Sequence, residues 1–242
     1  QEIEELTLVG VKEVTLLGQI VNAYGRGQFE RVDGKSPFVQ LLEKIHELPN
    51  IHRIRFTSPH PIAFGNDLID AFGRLPKLGQ HAHLPMQSGS NRILESMNRP
   101  YKIEKFLHIV ESLREKVPGM RLSTDVIVGF PGESDDHFME TYHFLNELDV
   151  SYLHVFTYSE RENTLAAGMP AVVPKEVRAK RSKMLRGLSQ KKRRAFYESQ
   201  LGTEQDVLFE SENKNGYIHG FTPNYVKVKR NNNTKRRSFQ VQ

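Results

Sequence analysis

Leu122-Ser-Thr-Asp-Val-Ile-Val-Gly129 is an apolar, β-branched run too short for a helix, and Phe130-Pro131-Gly132 closes it as a turn. A run of that length between turn residues reads as a fully buried strand. Ser134 then stands as a helix N-cap ahead of Phe138, Thr141, Tyr142, Leu145 and Leu148, which recur at helical spacing. Tyr152–Tyr158 is strand-like again. Strand, helix and strand in that order make a βαβ unit, whose strands run parallel.

The same alternation extends upstream. Val14-Thr-Leu-Leu-Gly18, Ile51–Thr57 and His81–Met86 are short strand-like runs. Between them, Phe38, Leu41, Leu42, Ile45 and Leu48 mark one helix, bounded by Pro37 and Pro49. Leu68, Ile69, Phe72 and Leu75 mark another, closed by Pro76, and Ile103–Val117 is the longest periodic segment. Five strands thus precede residue 160, and the fold class is α/β, as an open sheet or a barrel. Periodicity alone fixes no strand order.

The character changes near Pro174. From Lys175 to Arg194 there are ten basic residues and one acid, Glu176, with Val177, Met184, Leu185, Leu188 and Phe196 as a loose apolar stripe. This predicts a long basic helix leading out of the first domain. Asp206–Glu210, Tyr217–Phe221 and Tyr225–Lys229 follow as short strands, with a turn at Asn215-Gly216, and predict a small all-β module. Asn231–Asn233 and Lys235–Arg237 read as a basic, loose end.

Composition excludes several classes. The chain has 242 residues, 34 Lys+Arg against 29 Asp+Glu, and neither cysteine nor tryptophan. No apolar run approaches the length of a bilayer span and no leader is evident, so a cytoplasmic protein with no membrane partner is expected. The lack of cysteine excludes disulfides, zinc–thiolate sites and cysteine-ligated clusters within this chain.

In parallel α/β folds, ligands bind at the C-terminal ends of strands. Here those ends carry Gly18-Gln19, Gln87-Ser88-Gly89-Ser90 and Gly129–Glu133, and three such ends in register make a pocket. His81 and His83 share a strand face, and His60 follows a separate strand end; a packing or hydrogen-bonding role outweighs metal ligation, and no metal site is assigned. Glu133 and Asp125 could serve as a base or a ribose ligand, or as capping and solvated groups. No catalytic triad, phosphate loop or paired-carboxylate signature is present. Lys191, Lys192, Arg193 and Arg194, with Lys227 and Lys229 of the β-module, form the footprint of a protein that tracks an RNA backbone.

Two motifs carry a family resemblance: Gln87-Ser-Gly-Ser-Asn-Arg-Ile-Leu-Glu-Ser-Met-Asn-Arg99 and Ser123-Thr-Asp-Val-Ile-Val-Gly-Phe-Pro-Gly-Glu133. With Leu16–Gly25, Arg53–Pro61, His154–Arg161 and Gly220–Tyr225, they make the chain resemble the radical-SAM tRNA methylthiotransferases up to about Arg230. The resemblance implies a partial (β/α) radical-SAM barrel over residues 1–173, lacking its first strand. A basic linking helix would follow over 174–200, and a small RNA-binding TRAM-like barrel over 201–242.

The activity so implied is transfer of a methylthio group to C2 of an N6-modified adenosine next to the tRNA anticodon. S-adenosyl-L-methionine and [4Fe-4S] clusters are the implied cofactors. Partners would be the tRNA anticodon stem-loop and, for the whole enzyme, sulfur and electron donors. Gly18, Gln19, Gln87, Ser88, Gly89, Arg99, Gly129 and Gly132 match cofactor-binding positions, with Arg99 on the helix after the fourth-strand motif and suited to the cofactor carboxylate. No catalytic residue is assigned.

Two departures stand out. The family's CxxxCxxC cluster motif is absent, so the chain by itself is expected to be inactive, and Ile20 stands where the family has Asn. The motifs up to about Asp125 look most like the subgroup acting on N6-isopentenyladenosine. Those from about Glu133 look more like the subgroup acting on threonylcarbamoyladenosine. The alternative to an enzyme is an RNA-binding module with a non-catalytic α/β scaffold.

Overall fold

The computed structural model describes residues 1–231 together with 240 and 241. The expected basic end at Asn232–Arg237 lies outside the described residues. Five parallel strands alternate with helices over the first two thirds of the chain. They are β1 (Glu13–Leu16), β2 (Arg53–Phe56), β3 (His81–His83), β4 (Arg121–Val128) and β5 (Tyr152–Thr157). β1 pairs with β2, and β3, β4 and β5 pair in that order. The lead-in to β3 joins the two groups, because Ile54 donates to Lys77 O and accepts from Gly79 N. The strand order that periodicity left open is therefore sequential.

Helices α1 (Glu2–Leu8), α2 (Pro37–Glu47), α3 (Asn66–Arg74), α4 (Asn91–Ser96), α5 (Ile103–Lys116), α6 (Asp135–Glu147) and α7 (Lys175–Ser199) complete the order. α2 and α6 start at side-chain caps. Ser36 accepts from Val39 N with Pro37 at the first helical position, and Ser134 forms a capping box with His137. Phe38, Leu42 and Ile45 of α2, Leu68 and Phe72 of α3, and Phe106, Ile109 and Leu113 of α5 turn inward. They meet Val14, Ile54, Ala82, Leu122, Val126 and Leu153 of the strands. Burying each such side chain contributes about 1.5–3 kcal/mol.

Alternate strand positions carry the opposite character. Glu13, Arg53, Arg55, His81, His83, Arg121, Ser123, Asp125, Tyr152 and His154 occupy the positions between the core residues, so the second face of the strands is polar. That face positions the site.

The small module is an antiparallel sheet of β6 (Leu208–Lys214), β7 (Tyr217–Phe221), β8 (Lys227–Asn231) and β9 (Gln240–Val241). Asn215 and Gly216 both have positive φ, 54° and 81°, as the expected two-residue hairpin turn requires. The basic helix, however, does not simply lead away. α7 lies along β5, with Leu185 and Leu188 buried and the Ser189 hydroxyl bonded to both the N–H and the carbonyl of Leu153. Among the described residues, no helix is long and apolar enough to cross a membrane.

Candidate functional site

The C-terminal ends of β1, β2 and β3 are tied together. Asn22, which is buried, donates from Nδ2 to His60 O at 3.0 Å and accepts the His60 N–H at 2.8 Å. The His60 ring meets Tyr101 edge-on at 5.4 Å, and the Tyr101 hydroxyl reaches Pro85 O and Met86 O at 3.3 and 3.2 Å. Burial pushes the Tyr101 phenol up to about 12 and lowers the His60 imidazole, so both stay neutral.

Gln87 follows in a left-handed conformation, φ 73°. It extends the ladder beside β4, donating to Asp125 O and accepting from Ile127 N, while its side-chain amide has no partner among the described residues. A glutamine held there stores about 1–3 kcal/mol of strain, which points to a function at this strand end. Arg99 lies close enough to His60 for its charge to reinforce the neutral imidazole. Its buried Nε has no hydrogen-bond partner. Arg99 is in the turn after α4, which ends at Ser96, and not on the helix as the motif match implied.

The other expected contacts sit differently. Gly18 and Gln19 are exposed in the loop after β1. Ser88 and Gly89 turn toward α6: Thr141 Oγ1 lies 3.2 Å from Ser88 Oγ and accepts the Gly89 N–H at 3.0 Å. Gly129 has φ 77°, and a Cβ there would stand 2.3 Å from Arg178 Cγ, so an α7 side chain makes the close approach beside it. Gly132, with φ 85°, faces open space and donates to Ala171 O.

Glu133, one of the two acids singled out from sequence, is built into the scaffold. Its Oε1 accepts the Gly129 N–H at 3.0 Å and Arg181 Nη1 at 2.6 Å, and the pair is buried. Asp125, the other, lies on the polar face within a hydrogen-bonded chain that residue types alone did not disclose. His81 Nε2 lies 3.1 Å from Ser123 Oγ, Ser123 Oγ lies 2.9 Å from His83 Nδ1, and His83 Nε2 lies 3.0 Å from Asp125 Oδ1.

Burial, with Arg121 and Arg55 nearby, holds His81 well below the usual histidine range. A neutral His81 donating from Nε2 orients the chain toward Asp125, whose Oδ2 has no hydrogen-bond partner among the described residues. The hydrogen-bonding role expected of His81 and His83 on one strand face is what the structure shows, with Ser123 as the shared partner. Among the described residues no group of three or more His, Asp or Glu could hold a metal ion.

At the opposite end of the strands, three buried arginines fasten the β-module. Arg53 Nη1 donates to Phe221 O at 2.7 Å, Arg55 Nη2 to Thr222 O at 3.0 Å, and Arg121 Nη1 to Tyr225 O at 2.7 Å. Tyr225 stacks on His81, with ring centroids 5.1 Å apart. These residues were missed because arginine on a strand reads as a solvated position.

The cations expected to meet RNA are divided. Lys192 is half-buried and caps α6, donating to Asn146 O and Leu148 O at 3.1 and 2.7 Å. Arg194 pairs with Glu198 at 2.7 Å. Arg193 lies over the Tyr152 ring, Lys191 and Lys227 are exposed, and Lys229 lies over Tyr217.

Comparison with known proteins gives consistent matches. A family model described as the radical SAM superfamily matches residues 1–145. The tRNA-2-methylthio-N(6)-dimethylallyladenosine synthase of Opitutus terrae is 49% identical over 216 residues, covering 89% of this chain and 45% of that protein. The protein of the same name from Methylacidiphilum infernorum is 45% identical over 214 residues, 88% of this chain and 46% of its own. The chain therefore spans a little under half the length of these relatives. Among solved structures, coproporphyrinogen III oxidase from Escherichia coli, described as a radical SAM enzyme, superposes with a TM-score of 0.51 at 16% identity. It covers 66% of this chain and 39% of that one, a likeness of fold.

Proposed function

The chain belongs to the radical SAM superfamily, and on that premise we propose that it carries part of a tRNA methylthiotransferase acting at C2 of an N6-dimethylallyladenosine next to the anticodon. The observation that carries this reading is the 49% identity over 216 residues to the Opitutus synthase. The family match ends at residue 145, so at least 71 of those residues (216 − 145) lie beyond it. The likeness is thus to a tRNA-modifying enzyme and not only to its superfamily. It also favours the dimethylallyl substrate over the threonylcarbamoyl one that the later motifs suggested.

The residues at the strand ends fit S-adenosyl-L-methionine. The buried, unpartnered Nε of Arg99 suits a carboxylate, because a charge-assisted bond would satisfy a donor that is otherwise costly to bury. The free Gln87 amide and the exposed Gly18 and Gln19 would complete the contact, while Ser88, Gly89, Gly129 and Gly132 shape the walls. When bound, that cofactor supplies a methyl group and, on reductive cleavage, a 5′-deoxyadenosyl radical. A [4Fe-4S] cluster does not fit this chain, which has no cysteine to ligate it. In the whole enzyme its ligands, with the sulfur and electron donors, lie outside these residues.

The chain's own residues orient and bind. Asn22 and His60 fix the strand-end loops, and Asp125 offers Oδ2 to an N–H donor of the target base while the His81–Ser123–His83 chain holds Oδ1. The five strands would form part of the barrel, and the β-module, read as TRAM-like, would carry Lys227 and Lys229 to the anticodon stem-loop in the cytoplasm.

The test is a chimera in which this chain replaces the matching segment of the Opitutus enzyme, reconstituted with iron and sulfide without oxygen. Nucleoside mass spectrometry should show the 2-methylthio product, and Arg99→Gln should weaken S-adenosyl-L-methionine binding about tenfold or more. A folded, cluster-loaded chimera that leaves tRNA unmodified overturns the proposal.

A further inference from the structure

Among the described residues β5 pairs only with β4, and its other edge faces α7. There a cavity of about 350 Å³ opens, lined by Tyr152, His154, Phe156, Arg186, Gln190 and Arg193 among others. Its size lies within the ~300–1,000 Å³ of small-ligand sites. The lining has two regular parts. Tyr152, His154 and Phe156 alternate along β5 and so share the polar face of the sheet. Arg186, Gln190 and Arg193 recur at positions i, i+4 and i+7 of α7 and share one helix face.

Several features say what this cavity takes. Among the described residues no acid lines it. Arg186 and Arg193 are exposed, and neither has a carboxylate partner among the described residues. The Arg193 guanidinium stands 5.7 Å from the Tyr152 ring, and Phe156 is 52% exposed although it is a large apolar ring. Cations beside aromatic rings, one of them bare, suit phosphates alternating with stacked bases. A peptide adding itself as a strand is disfavoured, because Ser189 already satisfies both edge groups of Leu153. The strip also leads to the polar face: His154 meets Tyr152 at 4.5 Å and His83 at 5.0 Å, and His83 carries Asp125.

The geometry points to a single-stranded RNA cleft between β5 and α7, in which unpaired bases stack on Tyr152 and Phe156 and the phosphates between them lie on Arg186 and Arg193. It rests on the tRNA reading above and moves the RNA contact on α7 from the run 191–194 to the face 186–193. The strand would enter beside α7 and continue toward His83 and Asp125.

The test uses the full 242-residue chain. Binding of a fluorescein-labelled stem-loop RNA with an unpaired loop is measured against salt, beside a blunt duplex of the same stem and polyglutamate as competitor. The stem-loop should bind more tightly than the duplex. Arg186→Gln with Arg193→Gln should weaken binding about tenfold and lower the salt slope by about 1.4, or ~0.7 for each lost phosphate contact. Phe156→Leu should weaken binding about tenfold with the slope unchanged.

On the wild-type protein, 4-thiouridine in the loop should cross-link to the peptide holding Tyr152 and Phe156, which keeps the test independent of how the variants fold. A cross-link only elsewhere overturns the cleft, as does wild-type-like binding by the double variant. Displacement by polyglutamate as readily as by RNA overturns it in favour of an acidic partner. Binding by the wild-type chain that Lys227→Gln with Lys229→Gln alone weakens would overturn the cleft and leave the tRNA reading standing. No binding at all would remove both.

Discussion

Replacing Arg55 with Met should loosen the β-module from the strands without unfolding them. The Arg55 guanidinium donates from Nε to Glu13 Oε1 at 2.9 Å, from Nη2 to Thr222 O at 3.0 Å and from Nη1 to Pro223 O at 3.3 Å. It also stands 4.5 Å from the Tyr225 ring. Methionine keeps most of the stem's apolar area but leaves two carbonyls without their charged donors. Each such bond is worth about 1.5–3 kcal/mol, and the cation–ring contact about 1 kcal/mol.

The terms are not additive, and Glu13 keeps Arg53 at 3.2 Å. Arg53 and Arg121 also still hold Phe221 O and Tyr225 O. The net loss should be about 3–5 kcal/mol, felt locally. Hydrogen exchange reads this directly. The amides of Thr222, Tyr225 and Val226, bonded within the turn, should exchange about 100- to 5,000-fold faster, at ~1.4 kcal/mol per tenfold, while those of α5 keep their protection. Unchanged protection in the turn would refute the clamp. Equal loss in turn and helix would show that Arg55 supports the whole fold and not the junction.

Two further outcomes follow from the same geometry. Gly129→Ala places a Cβ 2.3 Å from Arg178 Cγ at φ 77°, whereas Gly132→Ala at φ 85° meets open space; urea denaturation should show a loss of about 1 kcal/mol for Gly132 and at least twice that for Gly129, and equal losses would remove the Arg178 contact from the account. Burial lowers His81, His154, His60 and His46, so the stability they contribute is present above the unfolded value near 6.5 and is lost as pH falls below it. The melting temperature should drop from about pH 7.5 to about pH 5.5, with His81 contributing up to ~1.4 kcal/mol per pH unit and the more solvated His154, His60 and His46 less, and His81→Gln should flatten that slope; an unchanged slope in the variant would exclude His81 as a source.

Legibility in the sequence follows the two faces of the strands. The helix-packed face announced itself, because Leu122, Val126 and Val128 and their counterparts must be apolar to meet α5 and α6, and apolar periodicity is what a sequence displays. Ser134 as an N-cap and Asn215-Gly216 as a turn were legible for the same reason: the local backbone demands those residue types. Strand-end glycines were legible as types but not as roles. Gly89 and Gly129 make room for the backbone of Thr141 and the side chain of Arg178, residues 52 and 49 positions further along the chain (141 − 89 and 178 − 129).

The polar face could not be read this way, and the reason is physical. Arg53 and Arg55 look like exposed positions of a half-solvated strand, yet both are buried, and a buried guanidinium is tolerated only where acceptors saturate its donors. Besides Glu13, the acceptors are backbone carbonyls of Phe221, Thr222 and Pro223, about 168 residues away, and a carbonyl has no residue type to recognise. Once the β-module supplies them, Tyr225 closes over His81, which turns neutral and donates along Ser123 and His83 to Asp125. The docking of the small module and the polarity of the candidate site are thus one arrangement. A change at Arg55 or Tyr225 should therefore be felt at Asp125, though it touches neither cofactor nor base.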